Sequence, residues 1–158
     1  MTDERYTEIV DRYANTVYKV ALNYTKSVFD AEDIVQNVFL KVYKKSPMFK
    51  DEEHAKKWLI RVTVNECNNL WESFWNRNTT GINDIKLSDK PTFSTDEYEE
   101  LYNEVMNLSE KYRIVIYLYY YEGYSINEIS HLIGKNVNTV KTNLSRAKSQ
   151  LKDRLGKE

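Results

Sequence analysis

The apolar residues of this chain recur at intervals of three and four positions, and this spacing constrains the fold more than any other feature. In the first segment they are Tyr6, Ile9, Val10, Tyr13, Val17, Val20 and Tyr24. Such spacing places side chains on one face of an α-helix, which must then pack against another element. With only four Gly and two Pro in 158 residues, the composition argues against a loop-rich sandwich or barrel. The pattern therefore predicts an all-α fold.

The same spacing predicts two more helices in the N-terminal half. Asp30 is a candidate N-cap for the second helix, and Asp51 for the third. The buried positions expected in these two helices are Ile34, Val35, Val38, Phe39, Val42, Ala55, Trp58, Leu59 and Val62. Cys67 is the only cysteine, which excludes an intrachain disulfide and favours a place in the core.

Residues 77–97 lose helical periodicity and are rich in Asn, Thr, Gly, Asp, Ser and Pro. They predict a flexible linker between two small helical domains, residues 1–76 and 98–158.

The net charge is only −1, but its distribution is uneven. Residues 80–100 hold six acidic and two basic side chains, whereas residues 141–157 hold six basic and one acidic. The C-terminal end is therefore the candidate nucleic-acid surface.

Residues 112–121 pose an ambiguity, because β-branched and aromatic side chains favour a strand. However, Tyr112, Val115, Ile116 and Tyr119 keep helical spacing, and Gly123 follows as a helix stop. The segment is therefore predicted to be helical.

The C-terminal segment has the pattern of a helix-turn-helix. Ser125 and Glu128 form a capping box, Gly134 permits a chain reversal, and a new helix begins at Asn136 or Asn138. The last helix is expected to bury Val140, Leu144, Ala147 and Leu151. Its other faces would carry Lys141, Thr142, Asn143, Ser145, Arg146 and Lys148. Such a helix enters the DNA major groove.

Three stretches resemble the extracytoplasmic function (ECF) sigma factors of RNA polymerase. Residues 101–155 resemble their promoter-reading C-terminal domain, and residues 31–45 and 58–65 resemble their N-terminal domain. The C-terminal stretch alone is also similar to the DNA-binding module of many response regulators. The order of the matches and the linker between them favour the sigma factor interpretation.

The resemblance implies roles for named residues in the C-terminal domain. The positions matching those that read the duplex minus-35 element are Lys141, Thr142, Ser145 and Arg146. Asn138 and Thr139 would lie near phosphates, and Lys148 is either a phosphate contact or simply solvated. An arginine such as Arg146 can bond bidentately to guanine.

The resemblance also implies two surfaces in the N-terminal domain. One recognises the melted minus-10 element with Phe49, Lys57, Arg61 and Asn65, although Phe49 can equally be a core plug. The other docks on the clamp helices of the largest polymerase subunit with Asp33, Gln36 and Asn37. The acidic linker would either thread the nucleic-acid channels of the polymerase or act as a solvated tether. An anti-sigma factor, often membrane-bound in the family, is a further expected partner.

Enzymatic motifs are absent from the sequence. It has no HExxH, GxxxxGK[ST] or GxSxG, and His54 and His131 stand alone, so no enzyme, cofactor or metal site is expected. The chain also has no signal-peptide stretch and no run of about 18 apolar residues, so a cytoplasmic protein is expected.

Two other interpretations remain open: a helix-turn-helix regulator that binds duplex operators without polymerase, and a helical protein that only occupies the polymerase clamp.

Overall fold

The computed structural model describes residues 1–77 and 96–156, and it describes their side chains except at residues 73–77 and 96–99. All regular structure in these residues is helical, as predicted. The chain divides into two units, Met1–Ser88 and Asp89–Glu158. Most of the predicted linker lies outside the described residues. At its edges, Arg77 still belongs to the preceding helix, and the next helix already begins at Asp96.

The first unit is built from three mutually packed helices: α1 (Asp3–Thr25), α2 (Val28–Lys45) and α3 (Glu52–Arg77). The predicted stripe of α1 faces the core: Ile9, Val17 and Val20 are fully buried. The buried residues of the other two helices include Ile34, Val38, Val42, Leu59, Ile60 and Val64. Cys67 is fully buried in the same core, as expected.

The helix starts in this unit confirm one predicted cap and correct the other. Asp51 caps α3, since its Oδ1 accepts a hydrogen bond of 2.8 Å from the backbone N–H of His54. In α2 the cap is Ser27, not Asp30, because the Ser27 hydroxyl accepts the backbone N–H of Asp30 at 3.1 Å. Asp30 instead lies in the first turn, where the helix dipole favours an acidic side chain.

The second unit contains α4 (Asp96–Met106), α5 (Glu110–Ile116), α6 (Ile126–Ile133) and α7 (Val137–Leu155). The ambiguous aromatic segment is helical, as predicted, but its end at Tyr117–Tyr121 is a π-helix. Burial runs without a break from Tyr112 to Leu118, so the segment lies in a helical core rather than on a half-exposed strand. Gly123 ends it with a positive φ of 76°.

A buried charged residue lies at the start of this core. The Arg113 side chain is almost fully buried and donates a hydrogen bond of 2.5 Å to the carbonyl oxygen of Leu108. Burial lowers the pKa of the Arg113 guanidinium to about 10, while the nearby Glu110 carboxylate acts in the opposite direction. Arg113 therefore stays charged at neutral pH and ties α5 to the turn before it.

Candidate nucleic-acid and polymerase-binding surfaces

The helix-turn-helix forms with the predicted local chemistry. In the capping box, the Ser125 hydroxyl accepts the Glu128 N–H at 3.1 Å, and the Glu128 carboxylate accepts the Ser125 N–H at 2.9 Å. Gly134 adopts a φ of 71°, and its N–H bonds to the Ser130 carbonyl at 3.0 Å. Asn136, the earlier of the two predicted starts, caps α7 through a 2.8 Å bond from the Thr139 N–H to its Oδ1. These bonds define the start of α6, the chain reversal at Gly134 and the start of α7.

The outer face of α7 is polar and basic. Val140 and Ala147 are fully buried and Leu144 nearly so, which turns the opposite side of the helix to solvent. The predicted DNA-contacting side chains that are exposed are Asn138, Lys141, Thr142, Ser145, Arg146 and Lys148. Thr139 is half-buried.

One outward assignment on α7 is wrong. Asn143 is buried, with 8% of its surface exposed, although it was expected on an outer face. It lies three residues after Val140 and four before Ala147, so the helical repeat places it beside the core stripe. The face available to DNA is therefore narrower than the sequence indicated.

Lys148 lies at the border of this face, beside an apolar groove within the second unit. Its Nζ lies 5.9 Å from the centre of the Tyr120 ring. The groove has a volume of about 350 Å³, and its lining includes Val105, Ile116 and Leu151. The sequence did not indicate this groove, because its lining residues come from separate helices that no single repeat connects.

One face of α2 combines polar and apolar side chains. Asp33, Gln36 and Asn37 are all exposed there, as expected of a docking surface. Two large apolar side chains share this face, Phe29 at 78% exposure and Leu40 at 50%. At 100° per residue, these five positions fall within an arc of about 100°. An exposed surface with apolar and polar groups together is typical of a protein-binding site.

Sequence reasoning named only the polar members of the α2 face. The signal for the apolar members was their position, because Phe29 and Leu40 lie off the buried stripe of Ile34, Val38 and Val42.

The loop between α2 and α3 carries the aromatic residue expected at a base-binding site. Phe49 is half-buried, and its ring meets the rings of His54 and Trp58 edge-on at centroid distances of 5.5 and 5.6 Å. On α3, Arg61 and Asn65 are exposed one turn apart. Lys57 is half-buried one turn before them. The four predicted residues thus occupy the loop and the adjoining part of one helix.

A cluster of polar side chains joins the start of α3 to α1. The Glu52 carboxylate accepts a 2.6 Å hydrogen bond from the Tyr13 hydroxyl and pairs with Arg5 at 3.1 Å and Arg12 at 3.2 Å. The Tyr13 hydrogen bond, followed by the arginine charges, lowers the pKa of Glu52. Burial and the Glu52 carboxylate raise the pKa of Tyr13. This cluster fixes the first turn of α3, directly after the Phe49 loop, and no pattern in the sequence indicated it.

His54, a lone histidine in the sequence, supports the same loop. Its Nδ1 accepts the backbone N–H of Lys50 at 3.0 Å, while its own backbone N–H is capped by Asp51.

Among the described helices, none is long and apolar enough to cross a membrane.

Comparison with known proteins assigns a family to both units. Residues 9–77 match the family described as Sigma-70 region 2, and residues 98–151 match Sigma-70, region 4. The ECF RNA polymerase sigma factor SigW of Bacillus subtilis is 25% identical over 167 residues, covering 96% of this chain and 89% of that protein. SigV, an RNA polymerase sigma factor of the same organism, is 27% identical over 143 residues, covering 89% of this chain and 85% of that protein.

A solved structure shows the same fold. The sigma factor RpoE of Bartonella quintana, in complex with the anti-sigma factor NepR, matches with a TM-score of 0.81 and 19% identity, covering 98% of this chain and 99% of that one. Two helical units, one of them a helix-turn-helix, define a class of helical proteins suited to binding DNA. The chain belongs to the ECF family of RNA polymerase sigma factors. It is a factor for promoter-directed transcription initiation and not an enzyme.

Proposed function

We propose that the two units divide promoter recognition, the C-terminal unit reading duplex DNA and the N-terminal unit reading an unpaired strand. The observation that carries this division is the contrast between the two surfaces. The outer face of α7 is basic and polar, whereas the loop before α3 and the exposed side of α3 combine an aromatic cluster with amide and guanidinium groups. The first suits base edges in a groove, and the second suits stacking and hydrogen bonding to a single base.

In the C-terminal unit, α7 enters the major groove of the minus-35 element. The side chains assigned to base edges are Lys141, Thr142, Ser145 and Arg146, all exposed. Asn138 and Thr139, at the N-terminal end of α7, lie near the phosphates, where a helix N-terminus favours negative charge. Lys148 contributes a phosphate contact from the border of the face.

In the N-terminal unit, the base that leaves the minus-10 duplex binds between the loop and α3. Phe49 supplies an aromatic surface and Asn65 an amide that both donates and accepts at a base edge. Lys57 and Arg61 neutralise phosphates of the unpaired strand. The supporting observation is that Arg61 and Asn65 are exposed on the helix that holds the Phe49 ring.

The α2 face docks on the clamp helices of the largest polymerase subunit. Asp33, Gln36 and Asn37 provide the polar contacts, and Phe29 and Leu40 provide apolar area. Removal of exposed apolar surface from water favours association, while the polar groups set register and specificity.

Regulation by an anti-sigma factor forms part of the proposal, together with a cytoplasmic location. Two solved structures with this fold are complexes: the sigma factor RpoE with the anti-sigma factor NepR, and CnrH with the cytosolic domain of CnrY. A partner of this kind would act by covering a surface that the polymerase or the promoter needs.

Selection of promoters from a randomised library tests the division of labour. Polymerase reconstituted with this chain should enrich two separated sequence blocks. Arg146→Ala should relax the preference in the upstream block alone, by about tenfold for the affected base pair. Asn65→Ala should relax the downstream block alone. Loss of preference in both blocks from either substitution would overturn the assignment.

A further inference from the structure

The loop between α2 and α3 exposes a large apolar side chain at its tip. Met48 is 92% exposed, more than any other large hydrophobic residue in the described parts of the chain. Its neighbour Phe49 turns the other way and lies against His54 and Trp58. Met48 is therefore the side chain that this loop exposes most, whereas Phe49 is half-buried and keeps only part of its ring accessible.

The loop is held at both ends, so the exposure of Met48 is built into the backbone. On the α2 side, Ser46 has a positive φ of 47° and its N–H bonds to the Val42 carbonyl at 2.9 Å. On the α3 side, the Lys50 N–H bonds to His54 Nδ1 at 3.0 Å. Pro47 restricts the backbone directly before Met48. A fixed loop that projects one apolar side chain is preorganised for insertion into another molecule.

The position and charge of the loop indicate which kind of molecule Met48 inserts into. Phe49 joins the loop to Trp58, and Trp58 shares one side of α3 with Arg61 and Asn65 because they lie three and seven residues further along. Basic side chains predominate in the chain on either side of Met48: Lys44, Lys45 and Lys50 are exposed, against the exposed acidic Asp51. An apolar tip among basic groups matches DNA, whose phosphates attract the lysines and whose stacked bases accept apolar side chains.

We propose that Met48 enters the minus-10 base stack as the duplex opens and occupies the space of the base that leaves. The inference rests on the proposed function, because it needs this surface to face the melting element. Methionine suits the task, since its unbranched thioether is apolar, flexible and able to contact aromatic rings. Phe49 and Asn65 hold the extruded base, and Met48 prevents it from returning to the stack.

The test compares a duplex promoter with the same promoter carrying an unpaired minus-10 segment. Wild-type initiation on the duplex is measured first and tests the proposed function separately. Met48→Ala should then reduce open-complex formation on the duplex by about tenfold, measured by 2-aminopurine fluorescence at the extruded base. On the unpaired template it should match the wild type, because no base has to be displaced.

Two controls make the result specific. Met48→Leu keeps an apolar side chain and should retain most of the activity, whereas Met48→Gln has similar length but a polar end and should behave like the alanine variant. Wild-type opening rates with Met48→Ala would overturn the inference. An equal loss on both templates, or a weaker affinity for core polymerase, would also overturn it, since either would place Met48 at a different interface.

Discussion

The Glu52 carboxylate shows how single residues fix the geometry of this protein. It bonds to Tyr13 and pairs with Arg5 and Arg12, so three residues of α1 meet one residue at the start of α3. Phe49 and His54 lie within three positions of Glu52 in the chain. We therefore treat Glu52 as a positioning residue for the loop, acting through the helix start and not by touching DNA.

Glu52→Gln should destabilise the protein in a pH-dependent manner. The amide can still accept the Tyr13 hydroxyl but no longer attracts the two arginines. The pKa of Glu52 in the folded state lies below its ordinary value of 4.5. Its contribution to stability is therefore present above about pH 4.5 and is lost as pH falls through the folded-state pKa. We expect the variant to melt at a lower temperature at neutral pH, with the difference from wild type shrinking in acid.

Thermal unfolding of both proteins across this pH range checks the prediction. Glu53→Gln is the matched control, because Glu53 is the exposed neighbour on the same turn and should show a much smaller effect. A difference between wild type and Glu52→Gln that stays constant down to acid pH would contradict the electrostatic account.

The sequence revealed polar site residues better than apolar ones. Arg146, Asn65 and the Asp33 face are exposed where the helical repeat put them. Met48 was missed because a loop has no repeat, so its exposure follows from the packing of Phe49 beside it. Asn143 was assigned outward because it is polar, although its position in the repeat lies beside the core.

At the scale of elements, hydrophobic spacing predicted which segments are helical, but it did not predict the π-helix or the cap of α2. Residues 112–121 are helical despite their strand propensity. Residues 112–118 are all buried in a helical core, and tertiary packing outweighs the local preference. The π-helix at Tyr117–Tyr121 was not predicted, because it depends on packing and not on local residue preference. The cap of α2 was misassigned because Ser27 and Asp30 are both good capping residues, and only the three-dimensional start of the helix distinguishes them.

The turn between α6 and α7 depends on the backbone freedom of Gly134. Its φ of 71° is unfavourable for side chains with a Cβ, yet a Cβ there would meet no atom within 4 Å. Gly134→Ala should therefore cost about 1 kcal/mol through backbone strain alone. Gly134→Asn should cost less, because asparagine tolerates this conformation better.

Urea denaturation of the intact chain, followed by a probe in the second unit, measures both variants. The order of stability should be glycine, then asparagine, then alanine. Alanine and asparagine variants of equal stability would show that strain at this turn is not the governing effect.

At the scale of the whole molecule, the division into two helical units follows from the sequence, because each half has its own apolar stripes and a polar stretch separates them. Neither unit alone accounts for the function. The helix-turn-helix indicates a DNA reader, whereas the match of residues 9–77 to Sigma-70 region 2 distinguishes an initiation factor from an operator-binding regulator. The central claim is therefore that one chain couples the polymerase to a promoter.

Run-off transcription with core polymerase from the organism that encodes this chain tests that claim most directly. The wild-type protein should bind the core and start transcription at a discrete promoter. A variant with Asp33, Gln36 and Asn37 all changed to alanine should lose at least about tenfold in core affinity while its melting temperature stays unchanged, since these side chains are exposed. The contradicting result would be no core binding and no initiation by the wild-type chain, together with tight binding of the free protein to a duplex operator.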